Sequence, residues 1–506
     1  MSHIWIWSNG HRPTAVVAFS FLFACLLSVV APLSAQDQTA AVPDVATPAK
    51  ARAADRVLEN IRSFSHVPGA SAAVMIDGEL VWTGVSGWAD LEEEIPVTPE
   101  SRFRLASVTK LYTAALALRL WEEGLLDLDA DVGRYVPSWP DHNGAVITPR
   151  LLAAHTAGIN HYQSRPRDDS APGRHYDEIV DALAAFADAP LLQPPGEEYS
   201  YSSYGYALLN AAMTSASGRT YTEALDSFVL QPLALSETSV EDVRLLPPNA
   251  VTLYRVSRES GATAIRPNDQ SFVWGVSGMR ATARDLARFG SVFLSGTLVS
   301  EETRDMALTP ARLLDGRTAG IGRYKVGFGW RSGLDWDGRP VAHHAGLTPG
   351  ARTVLLGYPG GHAAVALLLN ATWTSRIETT AELLAAPLME SGGADDTDCP
   401  TGAWQFDGEF DGDADRGEIR LAPDDGLCLG TFRSEGALIA MWLDNQPNVQ
   451  RDFPLVRVAR RGNAHIFAMA NPWGLAQVRI TVEEDELRGQ GDVAGRPFSI
   501  EGRPVR

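Results

Sequence analysis

Lysine is nearly missing from this chain. Of 43 basic residues only Lys50, Lys110 and Lys325 are lysine, and the rest are arginine. Positive charge is also outnumbered, since 62 acidic residues leave a net charge of −19. Binding to nucleic acid needs a cationic surface that displaces phosphate counterions, so that class of partner is excluded. Cysteine is equally scarce, with Cys25, Cys399 and Cys428 alone. Neither Cys399 nor Cys428 has a histidine neighbour at metal-ligand spacing. Beyond the N-terminus no apolar run is long enough to cross a bilayer. A Gly-x-Ser-x-Gly elbow, a His-Glu-x-x-His zinc helix and a glycine-rich phosphate loop ending in lysine are all missing, which excludes the enzyme classes that those motifs mark. Hydrophobic content of 45% and charged content of 21% are those of a globular chain, so wholesale disorder is excluded.

The N-terminus reads as an export signal. Arg12 is the single basic residue before Lys50, and an apolar run from Ala15 to Ala31 is broken only by Ser20 and Ser28. Pro32-Leu33-Ser34-Ala35 follows, and cleavage is expected after Ala35, although Leu33 is large for the residue three before the cut. Residues 1–35 thus read as a signal peptide, and the protein as periplasmic or secreted. An uncleaved anchor is the alternative, and membrane association is expected only in that case; the run is short of the ~20 residues that a span needs. Cys25 as a lipid anchor fits less well, because Phe23 is badly placed for a lipobox. Once the signal leaves, Cys399 and Cys428 remain. In an oxidising compartment they either bridge, closing a loop of about 30 residues worth ~3 kcal/mol, or stay as two buried thiols.

Residues 36–52, rich in Ala, Pro, Gln and Thr, read as a flexible leader. A helical pattern over Asp55–Phe64 opens a domain expected to span 53–390. Ser71–Ile76 and Glu79–Thr83 flank Asp77-Gly78, a strong signal for a two-residue hairpin. Apolar residues recur at helical spacing from Ser107 to Glu123, and further helices are expected over Asp285–Leu294 and Ser375–Met389. Val341–Ala342, Arg352–Leu356 and Ala363–Leu369 read as strands. The small, acidic stretch 391–400 reads as a linker. Over 401–506, short alternating runs, Leu438–Leu443 among them, predict a separate antiparallel sheet or barrel.

Phe103-Arg104-Leu105-Ala106-Ser107-Val108-Thr109-Lys110 contains Ser-x-x-Lys. Residues three apart share a helix face, which brings the Lys110 amine beside the Ser107 hydroxyl. A serine is a poor nucleophile until a base takes its proton, and a desolvated neutral lysine is such a base. Two further segments follow: Pro195 to Tyr206, with Tyr199, Tyr201, Tyr204 and Tyr206, and Val341-Ala342-His343-His344-Ala345-Gly346-Leu347-Thr348-Pro349-Gly350. Taken alone, the tyrosines read as a packed aromatic cluster. His155, in Leu151–Gly158, reads as loop support. Asp127, Asp129 and Asp131 resemble a calcium loop, but Val132 stands where such a loop needs glycine. Asp411, Asp413 and Asp415 fail in the same way at Arg416. No metal and no cofactor is expected.

In this order the motifs resemble those of the serine β-lactamase and penicillin-binding protein superfamily, nearest its class C β-lactamase, D-alanyl carboxypeptidase and esterase branch. The resemblance spans roughly residues 55–390 and implies an α+β fold. An antiparallel sheet flanked by helices would meet a helical subdomain, with the site in the cleft between them and the small all-β domain following. Ser107 would be the acylated nucleophile and Lys110 its proton acceptor. Tyr201 would pass protons to the leaving group and activate the deacylating water. His344-Ala345-Gly346 would lie on an edge strand facing the serine. Gly346 would let substrate lie close, and backbone N–H groups of Ser107 and Leu347 would form the oxyanion hole.

Two departures bear on the substrate. Ser203 stands where the family usually has asparagine, and a hydroxyl offers fewer donors than an amide. His344 replaces the lysine of true β-lactamases, and an unperturbed imidazole, pKa ~6.5, is largely neutral at pH 7. Both weaken the grip on a substrate carboxylate. The expectation is an exported serine hydrolase acting through an acyl-enzyme on small-molecule or peptide substrates with ester or amide bonds. The alternatives are a β-lactamase or D-alanyl-D-alanine carboxypeptidase proper, or a cell-wall sensor that acylates without turnover, which Ser203 favours. Nothing in the sequence speaks to the oligomeric state.

Overall fold

The computed structural model describes residues 47–161, 175–257, 261–373, 375–389, 394–395, 397–443 and 452–505. The expected signal peptide, 1–35, lies outside them. The leader expected over 36–52 needs correction where it is described. Thr47 accepts from the Lys50 N–H and starts α1 (Pro48–Ser65), with Pro48 in a first turn where its missing N–H costs little. Val57, Leu58 and Ile61 form its buried face.

β1 (Gly69–Ile76) and β2 (Glu79–Asp90) make the expected hairpin, with Asp77 and Gly78 at φ 51° and 80°. β3 (Pro340–Thr348), β4 (Ala351–Tyr358) and β5 (Ala363–Leu369) come from the far end of the sequence and complete the centre of an antiparallel sheet, in the order β2-β1-β5-β4-β3. Ile95–Pro96 extends it beyond β2. Arg331–Leu334, Tyr324–Val326 and Gly320–Ile321 extend it beyond β3.

Both faces of the sheet are covered, so successive side chains of β1 enter different cores: Ala73 and Met75 one, Ala72 and Val74 the other. The first core holds α2 (Thr109–Glu122), α3 (Ser203–Ser217) and α4 (Ala283–Leu294), through Leu111, Leu208 and Phe289 among others. The second holds α1 and α5 (Ile377–Met389) through Leu58, Ile61 and Leu384. Among the described residues no helix is long and apolar enough to cross a membrane.

Eight antiparallel strands between Gly402 and Pro504 close into a barrel filled by Phe406, Ile419, Phe432, Phe467, Val478 and Ile500. A Cys399–Cys428 disulfide ties the barrel strand Leu427–Ser434 to the chain entering it. The strand expected at Leu438–Leu443 is corrected to a helix, α6 (Ala437–Leu443). The Asp415 carboxylate accepts from the Gly436 and Leu438 N–H groups at 2.9 and 3.1 Å, and Ser434 Oγ from that of Ile439 at 3.2 Å. A short apolar run fits either period, and here a carboxylate from another strand starts the helix.

The barrel is less separate than expected. Its outward Val456, Val458, Ile466 and Ala468 join α1 and α5 in the second core. A chain ending at Met389 would expose that shared face. We expect it to melt at least about 10 °C below the full chain, or to aggregate, in scanning calorimetry. An unchanged melting temperature would show that the barrel is dispensable for folding.

Candidate active site

Ser107 lies in a tight turn, Ala106–Val108, that leads directly into α2. The turn holds Ala106 at φ 50°, a conformation that alanine rarely adopts. Lys110, in the first turn of α2, is fully buried. Its Nζ is 3.2 Å from Ser107 Oγ, 3.3 Å from Ser203 Oγ and 3.2 Å from the Val276 carbonyl oxygen. Burial pushes the amine well below the ordinary lysine value, and the cation of Arg331 pushes it further. A neutral amine at this distance can take the serine proton.

Tyr201 precedes α3, whose first turn is capped by Ser202 Oγ accepting from the Gly205 N–H at 2.9 Å. Two histidines hold this corner. His155 Nδ1 accepts from the Ser202 N–H at 3.1 Å and His161 Nδ1 from that of Ser203 at 3.3 Å. Burial keeps His155 well below its usual pKa and brings His161 to about 4, so both are neutral acceptors at pH 7. Their rings lie 4.4 and 5.5 Å from that of Tyr201. Lys110 Nζ is 5.0 Å from the same ring. Burial raises the Tyr201 phenol; Arg331 and hydrogen bonds to Ser107 and Ser203 oppose it. Tyr199 and Tyr206 also pack on His155, with rings 6.0 and 5.1 Å from it. Tyr204 stacks on Phe186 at 4.1 Å, and the Tyr206 hydroxyl donates to the Ala153 carbonyl at 3.0 Å.

The expected edge strand is an edge only in part. Pro340 to His343 of β3 pair with Arg331–Leu334, whereas His344 to Thr348 pair with β4 alone. His344-Ala345-Gly346 thus begins where the outer partner stops. Gly346 packs on the Ser107 turn. A Cβ there would stand 2.3 Å from Thr353 Oγ1, 2.4 Å from the Leu105 carbonyl oxygen and 2.9 Å from Ala106 Cβ. Leu347 follows, its residue 46% exposed. The His344 ring is 6.3 Å from Tyr201, and its Nδ1 is 2.9 Å from the Ala345 carbonyl oxygen. Burial, then Arg331 and Lys110, push its pKa well below the usual value, so it carries no charge at pH 7. His343 lies instead against Tyr324 at 4.4 Å, buried and pushed down to about 3.

Arg331 is the residue that sequence reading missed. It stands across from His343, with its guanidinium carbon 5.5 Å from the Tyr201 ring centroid. Among the described residues no carboxylate forms an ion pair with it. The expectation of a weakened grip on a carboxylate considered His344 and Ser203 alone; the neighbouring strand also brings a guanidinium to this corner. No motif flags Arg331, because its place follows from strand register. His161 was missed too, its partner Ser203 being distant in sequence. The aspartate sets have structural work. Asp131 accepts from the Gly133 N–H at 2.7 Å, Asp129 pairs with Arg150 at 2.7 Å, and no metal-binding cluster occurs among the described residues.

Gly346→Ala should displace the Ser107 turn and lower kcat about 10- to 100-fold, since small displacements of reacting groups cost that much. Steady-state kinetics beside circular dichroism checks this; a folded variant with wild-type kcat would refute the close packing.

A family model described as Beta-lactamase matches residues 54–386. Over 409 residues the chain is 26% identical to serine beta-lactamase-like protein LACTB, mitochondrial, of Homo sapiens, covering 63% of this chain and 75% of that protein. It is 30% identical over 328 residues to penicillin-binding protein 4 of Amycolatopsis lactamdurans, covering 61% and 82%. Among solved structures, a D-stereospecific amidohydrolase from Streptomyces sp. superposes with a TM-score of 0.55 at 25% identity, covering 64% of this chain and 95% of that one.

Proposed function

The chain belongs to the beta-lactamase family of serine hydrolases, and we propose that it cleaves ester or amide bonds through an acyl-enzyme on Ser107. The observation that carries this reading is the 3.2 Å approach of Ser107 Oγ to an amine whose proton affinity burial pushes well below the ordinary lysine value. Lys110 takes the hydroxyl proton as Ser107 attacks the carbonyl. Backbone N–H groups of Ser107 and Leu347 receive the developing oxyanion. Tyr201, hydrogen-bonded to Ser107 and Ser203, passes the proton to the leaving group and then helps water to release the acyl group. The Cys399–Cys428 bond supports export into an oxidising compartment.

Two variants test the chemistry with a p-nitrophenyl ester. Ser107→Ala should abolish turnover. Lys110→Arg, which stays protonated at any working pH, should lose at least about 100-fold. Because the amine must be neutral, wild-type kcat/KM should be full above the depressed Lys110 pKa and fall as pH drops through it. An active Lys110→Arg variant would show that another group is the base.

Arg331 favours the peptide or amide arm of this reading. A permanent cation beside Tyr201 suits a substrate that carries a carboxylate near the scissile bond, as a peptide C-terminus does. The relatives named for amide substrates and penicillin binding point the same way. Neutral His344 cannot supply that charge. Arg331→Met should therefore slow a carboxylate-bearing amide about 10- to 100-fold, the equivalent of one lost charged contact of ~1.5–3 kcal/mol. The matched methyl ester, which lacks the charge, should slow far less. Equal losses on both substrates would remove Arg331 from carboxylate recognition.

A further inference from the structure

Glu241 is a buried carboxylate shared by two buried arginines, with side-chain exposures of 0% for Glu241, 0% for Arg104 and 1% for Arg280. Arg104 donates to it through Nε at 3.1 Å and through a second nitrogen, and Arg280 Nε donates to the same carboxylate. Arg104 also donates to Asn268 Oδ1 at 3.0 Å, and Arg280 to the Val251 carbonyl at 3.2 Å. Both arginines lie in a small three-stranded sheet of Phe103–Arg104, Met279–Ala281 and Ser239–Val240, and they stand directly opposite each other. Glu241 immediately follows the third strand. Two facing cations in a desolvated interior repel, and the carboxylate between them offsets that repulsion.

From Glu241 the structure leads to both members of the Ser-x-x-Lys pair. Arg104 is followed by Leu105, whose N–H donates to the Met279 carbonyl at 2.8 Å, then by Ala106 at φ 50° and Ser107. Backbone strain of this kind persists only where the surroundings over-determine it, and the clamp on Arg104 is such a restraint. The main chain of Glu241 runs to the other member. Its carbonyl accepts from Trp274 Nε1 at 2.9 Å, and its N–H donates to the Gly278 carbonyl at 2.8 Å. These bonds bracket the turn Trp274–Ser277. Within it, the Val276 carbonyl receives Lys110 Nζ at 3.2 Å, and the Gly275 carbonyl receives the Thr113 hydroxyl of α2 at 2.6 Å.

Resting on the reading of Ser107 as nucleophile and Lys110 as base, we propose that Glu241 is a positioning residue that sets the spacing between them. Its side chain holds the strand entering the Ser107 turn, and its main chain holds the turn that receives the Lys110 amine. Glu241→Asp keeps the charge but shortens the reach by one methylene. Glu241→Gln keeps the length but leaves two arginines without a counterion.

The test follows Ser107 labelling by a fluorophosphonate probe in the full-length protein, by intact-mass spectrometry across pH. The labelled fraction at the end point counts competent molecules, and the rate constant measures how competent each one is. Both variants should react about 10- to 100-fold more slowly per competent molecule. The pH midpoint of labelling should move as well, because the Lys110 surroundings change. A purely structural ion pair predicts the reverse: fewer competent molecules, each with wild-type rate and midpoint, and that result overturns the proposal. Should Glu241→Gln fail to fold, Glu241→Asp decides alone, a wild-type rate overturning the proposal. Ser107→Ala separates the two levels. If it abolishes labelling while the Glu241 variants react at the wild-type rate, only the positioning role falls. If it is still labelled at the wild-type rate, the nucleophile assignment falls and takes the positioning role with it.

Discussion

One buried amine organises this molecule. Lys110 can act as a base only while it is uncharged, and burial favours that form, because α2 runs through the interior with its first turn wholly out of water. Its surroundings push the same way. It meets a carbonyl and two hydroxyls. The nearby imidazoles of His155 and His344 are neutral as well. The charged side chain whose field reaches it is another cation, Arg331, which disfavours protonation further. In the proposed complex a substrate carboxylate would offset that field. The proton affinity of Lys110 would then rise as Ser107 needs to give its proton away.

The sheet brings these groups together from distant parts of the chain. β1 and β2 come from near its beginning, while β3, β4 and β5 come from beyond residue 340. Pairing between β3 and Arg331–Leu334 ends at His343, so the same register that places Arg331 also frees the strand from His344 onward. Gly346 then lets β3 lie on the Ser107 turn with no side chain between them. On the opposite side of the sheet, α1 and α5 are sandwiched between sheet and barrel, which joins the C-terminal strands to the catalytic part through one core.

The paired sheet of Arg104 and Arg280 shows how far such dependence extends. Like charges opposite each other are an unfavourable strand pair, and Glu241 makes the pairing tenable. A carboxylate distant in sequence thereby bears on a turn that a local motif had already marked as chemically important.

Features that depend on neighbouring residues were legible from the chain alone. Asp77-Gly78 specifies a hairpin because few residue pairs accept positive φ. Ser107 and Lys110 meet because three residues span about one helical turn. Alternation beyond residue 400 shows strands because one face of each must fill the barrel. What stayed hidden depends on partners far away in sequence. The run Leu438–Leu443 suits helix or strand until Asp415 meets its first turn. Arg331 looks like any of the many arginines until strand register puts it over Tyr201. His161 and Glu241 likewise acquire meaning only from the groups they touch. Periodicity and spacing are local quantities, whereas a partner's charge and the register of a strand arise only when distant segments pack.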